Sequence, residues 1–235
     1  MKPAFWARRA HKWIGLIIGV QALLWMISGV YMTVVPLEII HGDHLAHAHN
    51  ESLAAATPRI GQAALLDRYP NITSIKLKRL LDQEVYEVKQ EKIGQDKQAS
   101  LIDARSGAKI TPLERGTVVA LARKAYQGEA EIIGVEWVTK APQEVAKRPV
   151  PMWAVRFADS GATTFYFSPD TGDLLARRHS LWRWFDFLWM FHIMDYQERS
   201  DVNNTLLRIA ASVGLLFALS GAWLVFYSFR WRRTA

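Results

Sequence analysis

Two long apolar segments near the ends of the chain constrain its fold more than any other feature. Residues 13–35 contain no charged side chain, and a helix of that length extends about 35 Å, which exceeds the ~30 Å hydrocarbon core of a bilayer. Residues 205–227 form a second such segment, in which Arg208 is the only charged side chain and lies close enough to the end to reach the interface. The sequence therefore predicts an α+β membrane protein with two antiparallel transmembrane helices and a lobe inserted between them.

The net charge of +7 is confined to the two ends of the chain. Residues 1–12 contribute +4 and residues 230–235 contribute +3, while the rest of the chain holds 22 basic and 22 acidic side chains. Because basic residues flank membrane spans on the cytoplasmic side, both termini (1–12 and 228–235) are expected in the cytoplasm and the lobe outside it. Nucleic-acid-binding proteins gather positive charge on a folded face, so this distribution argues against a nucleic-acid partner.

The absence of cysteine excludes disulfides, zinc ribbons, iron–sulfur clusters, thiol nucleophiles and thioether-bound haem. The first apolar segment could also be a cleaved signal peptide, with the three alanines at 54–56 as the cleavage site. The apolar run is longer than the ~7–15 residues typical of a signal peptide, and those alanines lie far beyond it. Both observations favour a membrane anchor.

The lobe repeats one order of predicted elements. A linker at 36–57 precedes two tandem units at 58–111 and 112–178, each predicted as a helix followed by three antiparallel strands. The best internal match joins 101–110 to 166–175, 65 residues later, and each segment has a strand, a turn containing glycine and a second strand. The individual predictions are helices at 60–69 and 113–126, strands at 72–80, 85–90, 99–110, 132–138, 152–157 and 163–175, and an aromatic interfacial helix with its connector at 179–204.

These residues resemble a known family. The second unit ends in a Tyr-x-x-x-x-Thr-Gly-x-x-Leu pattern, from Tyr166 to Leu175, that is similar to the PepSY domain. PepSY units placed between spans resemble the PepSY-associated transmembrane family, and the resemblance covers nearly the whole chain. The motifs at the spans are Arg-Arg-Ala-His-Lys-Trp-Ile-Gly at 8–15, Ser28-Gly29, Phe191-His192 and Ser220-Gly221.

The resemblance implies a function at the bacterial inner membrane. Some members of the family resemble iron-regulated inner-membrane proteins and ferric-siderophore reductases, in which histidines hold b-type haem. It therefore implies haem b, electron transfer across the membrane to a ferric siderophore, and a periplasmic lobe. Such reductases have four or more spans, whereas this chain has two. The alternative is a non-enzymatic, membrane-anchored PepSY module that binds a peptide, a protease or a transporter.

All seven histidines lie near the predicted membrane surfaces, and none lies in the lobe between residues 50 and 178. His11 stands alone at the cytoplasmic end of the first span, whereas the other six are expected together at the opposite face. Gly15 and Gly19 follow His11 on the same side of the helix, which would leave room for a flat porphyrin bound by the imidazole. Alternatively, the two glycines serve close helix packing and His11 is an interfacial polar residue.

His192 lies in an aromatic stretch at 180–196, where helical spacing places it opposite Arg183. If Arg183 faces water, His192 faces protein or lipid, and an ionisable side chain at membrane depth is typical of a functional site. The alternative is a histidine hydrogen-bonded to a neighbouring helix. We predict a haem-binding set that consists of His11, His192, Gly15 and Gly19.

The histidines that follow the first span form a candidate metal site. Imidazoles with a carboxylate nearby, here Asp43, suit iron or zinc. In a helical segment, His44 and His47, or His41 and His44, would share a helix face. Alternatively, the segment is a solvated linker, or one of its first two histidines is a second axial ligand opposite His192. The four candidate ligands are His41, His44, His47 and His49.

A haem with two histidine ligands at the cytoplasmic face needs a second copy or a partner membrane subunit, because the chain has only one histidine there. A homodimer in the lipid bilayer would supply four helices, the usual number in a haem-binding bundle. The sequence contains no nucleotide-binding or zinc-protease motif, and its cytoplasmic segments are too short for a flavin or nicotinamide domain. Electrons must therefore come from quinol or a partner, and the sequence does not identify a catalytic residue.

Overall fold

The computed structural model describes residues 3–46, 53, 58–92 and 95–228, with the side chains of all of these except 3–8, 10, 92, 95–97 and 226–228. The chain divides into two compact units. A helical unit consists of Met1–Leu37 and Trp184–Ala235, and a lobe consists of Glu38–Arg183.

Six α-helices and seven β-strands lie within the described residues. In chain order they are α1 (Pro3–Val34), α2 (Leu37–His41), α3 (Gln62–Arg68), β1 (Ile72–Leu80), β2 (Gln83–Lys92), β3 (Gln95–Asp103), α4 (Arg115–Ala125), β4 (Ile132–Val138), β5 (Met152–Phe157), β6 (Thr164–Phe167), β7 (Leu174–Arg178), α5 (Ser180–Ile193) and α6 (Thr205–Ser228).

The helical unit is built mainly from α1 and α6, which pack against each other. The stretches His11–Val34 and Thr205–Val225 are helical, apolar and long enough to cross a bilayer, as the two predicted spans require. Only Ile18 and Ser28 of the first stretch and Ala210 of the second are buried within the chain. The apolar side chains exposed along both helices are suited to contact with lipid. A helix also satisfies its own backbone hydrogen bonds, as a segment in lipid must.

The lobe is α+β, with the two sheets β1-β2-β3 and β4-β5-β6-β7, and all neighbouring strands are antiparallel. The predicted helices at 60–69 and 113–126 correspond to α3 and α4. The prediction of three strands in the second half is wrong. The segment 163–175 turns between Ser168 and Asp173 and forms two strands, β6 and β7.

The two sheets share one hydrophobic core around α4. Val85 and Leu101 of the first sheet are fully buried together with Val118 of α4 and with Val155 and Phe165 of the second sheet. The opposite face of the first sheet packs against α3 in a smaller cluster. Because side chains alternate along a strand, this sheet is covered on both faces.

Two turns of the lobe have the same geometry, 65 residues apart. Gly107 and Gly172 have φ angles of 69° and 70°, and each donates its backbone N–H to the carbonyl four residues earlier, at 2.9 Å. At the start of each turn, the side chain of Asp103 or Ser168 accepts hydrogen bonds from the backbone two and three residues later. The internal sequence match is therefore also a match of local geometry.

Candidate functional site

His11 is held against α6 near the start of α1. Its Nδ1 lies 2.7 Å from the Oγ of Ser220, and its ring stacks on Phe217 with the centroids 4.2 Å apart. The approach is close because position 221 is glycine, where a Cβ atom would lie 3.3 Å from the imidazole. His11 thus contacts the Ser220-Gly221 step of the second span.

His192 makes the corresponding contact with the first span. Its Nδ1 lies 2.8 Å from the Oγ of Ser28, and its ring lies parallel to that of Trp189, with the centroids 6.0 Å apart. His192 therefore makes the hydrogen bond to a neighbouring helix that one of its two interpretations predicted. It occupies only one of the two ring nitrogens.

The serine hydroxyls indicate which nitrogen of each ring carries the proton. Ser220 Oγ lies 2.7 Å from the carbonyl of Phe217, and Ser28 Oγ lies 2.7 Å from the carbonyl of Leu24. A carbonyl only accepts, so each hydroxyl donates its one hydrogen to its own helix and accepts a hydrogen bond from the histidine Nδ1–H. Each Nε2 then keeps its lone pair, and within the described part of the chain neither Nε2 has a hydrogen-bond partner.

The backbone that carries His192 is fixed by three side chains. The side-chain amide of Gln21 donates to the carbonyl of Phe191 at 3.0 Å, and the indole N–H of Trp25 donates to the carbonyl of His192 at 2.8 Å. Asn204 donates to the carbonyl of Ile193 at 2.8 Å. The last carbonyls of α5 have no partner within their own helix, and these donors satisfy them.

The two glycines of the predicted haem-binding set have different surroundings. A Cβ atom on Gly15 would lie 2.9 Å from the ring of Phe217, whereas a Cβ atom on Gly19 would have no neighbour within 4 Å. Gly15 therefore serves the contact between α1 and α6. Gly19 leaves the surface of α1 open.

In the lobe, His44 lies beside His179 rather than on a helix with His41. The expectation that His41 and His44 share a helix face is wrong, because α2 ends at His41 and Gly42 has a φ of 72°. The rings of His44 and His179 meet edge to face, 5.7 Å apart. His179 is only 4% exposed, and burial lowers the pKa of its imidazole.

The metal site predicted at residues 41–49 stays a prediction. His47 and His49 lie outside the described residues. Within the described part of the chain, no three histidine, aspartate or glutamate side chains are grouped closely enough to hold a metal ion.

Sequence reasoning singled out both histidines but not the function of the serines. Ser28 and Ser220 stood out only as parts of Ser-Gly motifs, and their partners are 164 and 209 residues away in the sequence. The sequence feature that could have indicated their role is that each otherwise apolar span contains one Ser-Gly pair.

Each of the two apolar helices, α1 and α6, carries a serine that binds a histidine from another helix. Together with the α+β lobe, these features indicate a membrane protein with two candidate ligand sites. The chain belongs to the PepSY-associated TM region family, whose model matches residues 8–235. No curated protein and no solved structure matches the chain.

Proposed function

We propose that the protein is a b-type haem protein of the bacterial inner membrane that transfers electrons across it, with a ferric siderophore as the acceptor. His11 and His192 are the proposed axial ligands. The observation that carries this proposal is the pair of Nδ1–H···Oγ hydrogen bonds, which leave an Nε2 lone pair available on each imidazole.

The side chains fit such a cofactor. Histidine is a common axial ligand of haem iron, and a ligating imidazole usually donates its other N–H to a fixed acceptor. Ser28 and Ser220 are those acceptors here, and each is itself anchored to a backbone carbonyl of its helix. Bound haem would supply reversible one-electron transfer, while the chain holds the iron ligands in one tautomer and orientation.

The two histidines belong to two separate sites. Along α1, His11 and Ser28 are 17 residues apart, which corresponds to about 25 Å of helix. His11 and His192 therefore cannot ligate one iron, and each would belong to a different haem site. We propose that a second copy of the chain supplies the missing ligand at both sites. The two spans of each chain would then form a four-helix bundle.

The proposed arrangement places both termini in the cytoplasm and the lobe in the periplasm. The basic segments outside the two spans support this orientation. The proposed lobe is a tandem pair of PepSY-like units. The matched turns at Gly107 and Gly172 support the duplication.

Haem content of the purified protein tests the proposal. His11→Ala and His192→Ala should each reduce the haem measured by pyridine haemochrome, and the double variant should lack it. Lys12→Ala, a change of an exposed residue beside His11, should retain the full content. Added imidazole should restore haem binding to His192→Gly if its ligand role is correct. Full retention of haem in both single variants would refute the proposal.

A further inference from the structure

The lobe contains a cleft of about 540 Å³ that is lined by both sheets. Residues 76–80 of β1 line one side, and residues 171–174 with Arg177 line the other. Leu121 and Phe167 contribute apolar surface. The volume lies within the ~300–1,000 Å³ typical of ligand sites.

The cleft follows the edge of β1 rather than one face of the sheet. Successive side chains of a strand point to opposite faces, so a cavity lined by five consecutive residues must run along the strand edge. β1 pairs with β2 on one side only, and among the described residues no strand pairs with its other side. The second wall includes β7, which is also the last strand of its sheet. Backbone N–H and C=O groups that have no strand partner in the described part of the chain therefore border the cleft.

Lys78 fixes the distance between the two walls. Its Nζ donates to Glu87 at 2.8 Å, to the carbonyl of Thr171 at 2.7 Å and to Asp173 at 3.0 Å. Next to it, the side chain of Leu80 packs against Gly172. These contacts hold the two walls together at residues 78–80, and the lining of the cleft extends along β1 to Lys76.

The side chains at the cleft favour an anionic ligand. Four of those lining it are basic, Lys76, Lys78, Arg79 and Arg177, and one is acidic, Asp173. Lys78 is neutralised by Glu87 and Asp173, and Arg177 binds Asp43 at 2.7 Å. Lys76 is exposed and has no ion pair within the described residues. Its ammonium group is thus available to a carboxylate in the cleft.

We propose that this cleft binds an extended acidic segment of another protein, which pairs with the outer edge of β1 as an added strand. Backbone hydrogen bonds to β1 would supply affinity, and Lys76 would select carboxylate side chains. The lysines also keep such an edge from pairing indiscriminately with apolar strands. The proposal is independent of haem binding, because it concerns residues of the lobe alone.

Fluorescence anisotropy with the detergent-solubilised full chain tests this inference. The probe is a labelled nine-residue peptide of alternating valine and glutamate, matched to the nine residues of β1. It should bind, and the same peptide with lysine in place of glutamate should not. N-methylation of alternate amides along one edge of the peptide should abolish binding, whereas N-methylation along the other edge should not.

Two variants locate the site. Lys76→Glu should weaken binding of the acidic peptide about tenfold or more, since it places like charges together. Lys109→Glu makes the same charge change at an exposed position outside the cleft and should leave binding unchanged. Equal binding to both variants, binding that survives N-methylation of either edge, or equally strong competition by citrate would each overturn the proposal.

Discussion

The hydroxyl groups of Ser28 and Ser220 are the smallest parts of the molecule on which the proposed function depends. Each hydroxyl lies between a carbonyl of its own helix and an imidazole from another. This contact fixes both the tautomer and the orientation of the ring. Each serine would thus determine the orientation of a ligating imidazole without contacting the cofactor itself.

Replacement of either serine by alanine is expected to weaken haem binding by about tenfold to a hundredfold, the usual effect of losing the hydrogen-bond partner of a ligating imidazole. Titration of the haem-free protein with haem measures the change. Ser212→Ala removes an exposed serine elsewhere on α6 and serves as the control. Unchanged affinity in both Ser28→Ala and Ser220→Ala would contradict the positioning role.

Gly172 carries a structural constraint that is independent of any cofactor. Its φ is 70°, and a Cβ atom would lie 2.7 Å from the side chain of Leu80. Gly172→Ala is therefore expected to lower the free energy of unfolding by about 1–3 kcal/mol, which thermal unfolding followed by circular dichroism would detect.

Gly116→Ala is the matched control, since a Cβ atom there would have no neighbour within 4 Å. Gly116 lies in α4, where alanine is favoured over glycine by up to about 1 kcal/mol. Equal destabilisation by the two substitutions would show that the turn geometry is not the cause.

At this scale, the sequence predicts which residues stand out but not what they contact. His11 and His192 are conspicuous because ionisable side chains are rare beside apolar spans. Their serine partners are brought close only by the packing of helices that are distant in the sequence. Local periodicity carries no information on such a pairing.

The connection between α5 and α6 is held by several polar contacts. Asp195 accepts backbone hydrogen bonds from four residues of the connection, with Ser200 and Asp201 at 2.9 and 3.0 Å. The backbone donors, that of Ser200 foremost, hold the pKa of the Asp195 carboxyl well below its usual range. Asp186 forms an ion pair with Arg199. The connection is thus an ordered turn that sets where α6 begins.

Asn204 joins the end of α5 to the start of α6. Its Oδ1 accepts the backbone N–H of Leu207 at 2.8 Å, as a helix cap does, and its Nδ2 donates to the carbonyl of Ile193 at 2.8 Å. Asn204→Ser keeps a capping oxygen but loses the donor, so we expect a loss of about 1 kcal/mol in stability.

Asn204→Ala loses both contacts and should cost about 2 kcal/mol, as measured by chemical unfolding in detergent. The neighbouring Asn203 is exposed, and Asn203→Ala should have little effect. Equal loss in the serine and alanine variants would show that the cap contributes nothing.

The elements themselves follow closely from sequence patterns, with two exceptions that have physical causes. The segment 163–175 counts as one strand in the predicted order, but the turn ending at Gly172, already visible in the internal match, divides it into two. Beyond His41, the positive φ of Gly42 ends the helix that would have aligned His41 with His44. In both cases a glycine with a positive φ interrupts an element that was predicted as continuous.

For the whole molecule, the number of ligands sets the expected assembly. Each candidate haem site has one histidine from this chain in the helical unit, so a bis-histidine haem requires another source. Positive charge at both termini and an apolar surface on both spans are compatible with two copies side by side in a bilayer. The lobe holds 20 basic and 18 acidic side chains, so it adds little net charge that would oppose such an assembly.

The haem-loaded protein is therefore expected to have the mass of two chains, as measured by native mass spectrometry or analytical ultracentrifugation in detergent. The double variant His11→Ala with His192→Ala should lack haem and have a weaker tendency to dimerise. His41→Ala should retain full haem content if the second ligand comes from another copy. A fully haem-loaded single chain would contradict the dimer.

The hydrogen bond from each Nδ1–H to serine leaves one lone pair per imidazole, on Nε2. Because the other ring nitrogen is already hydrogen-bonded, any ligand of the ring must approach along this one direction. The packing of the helices therefore sets the direction from which each imidazole can be reached.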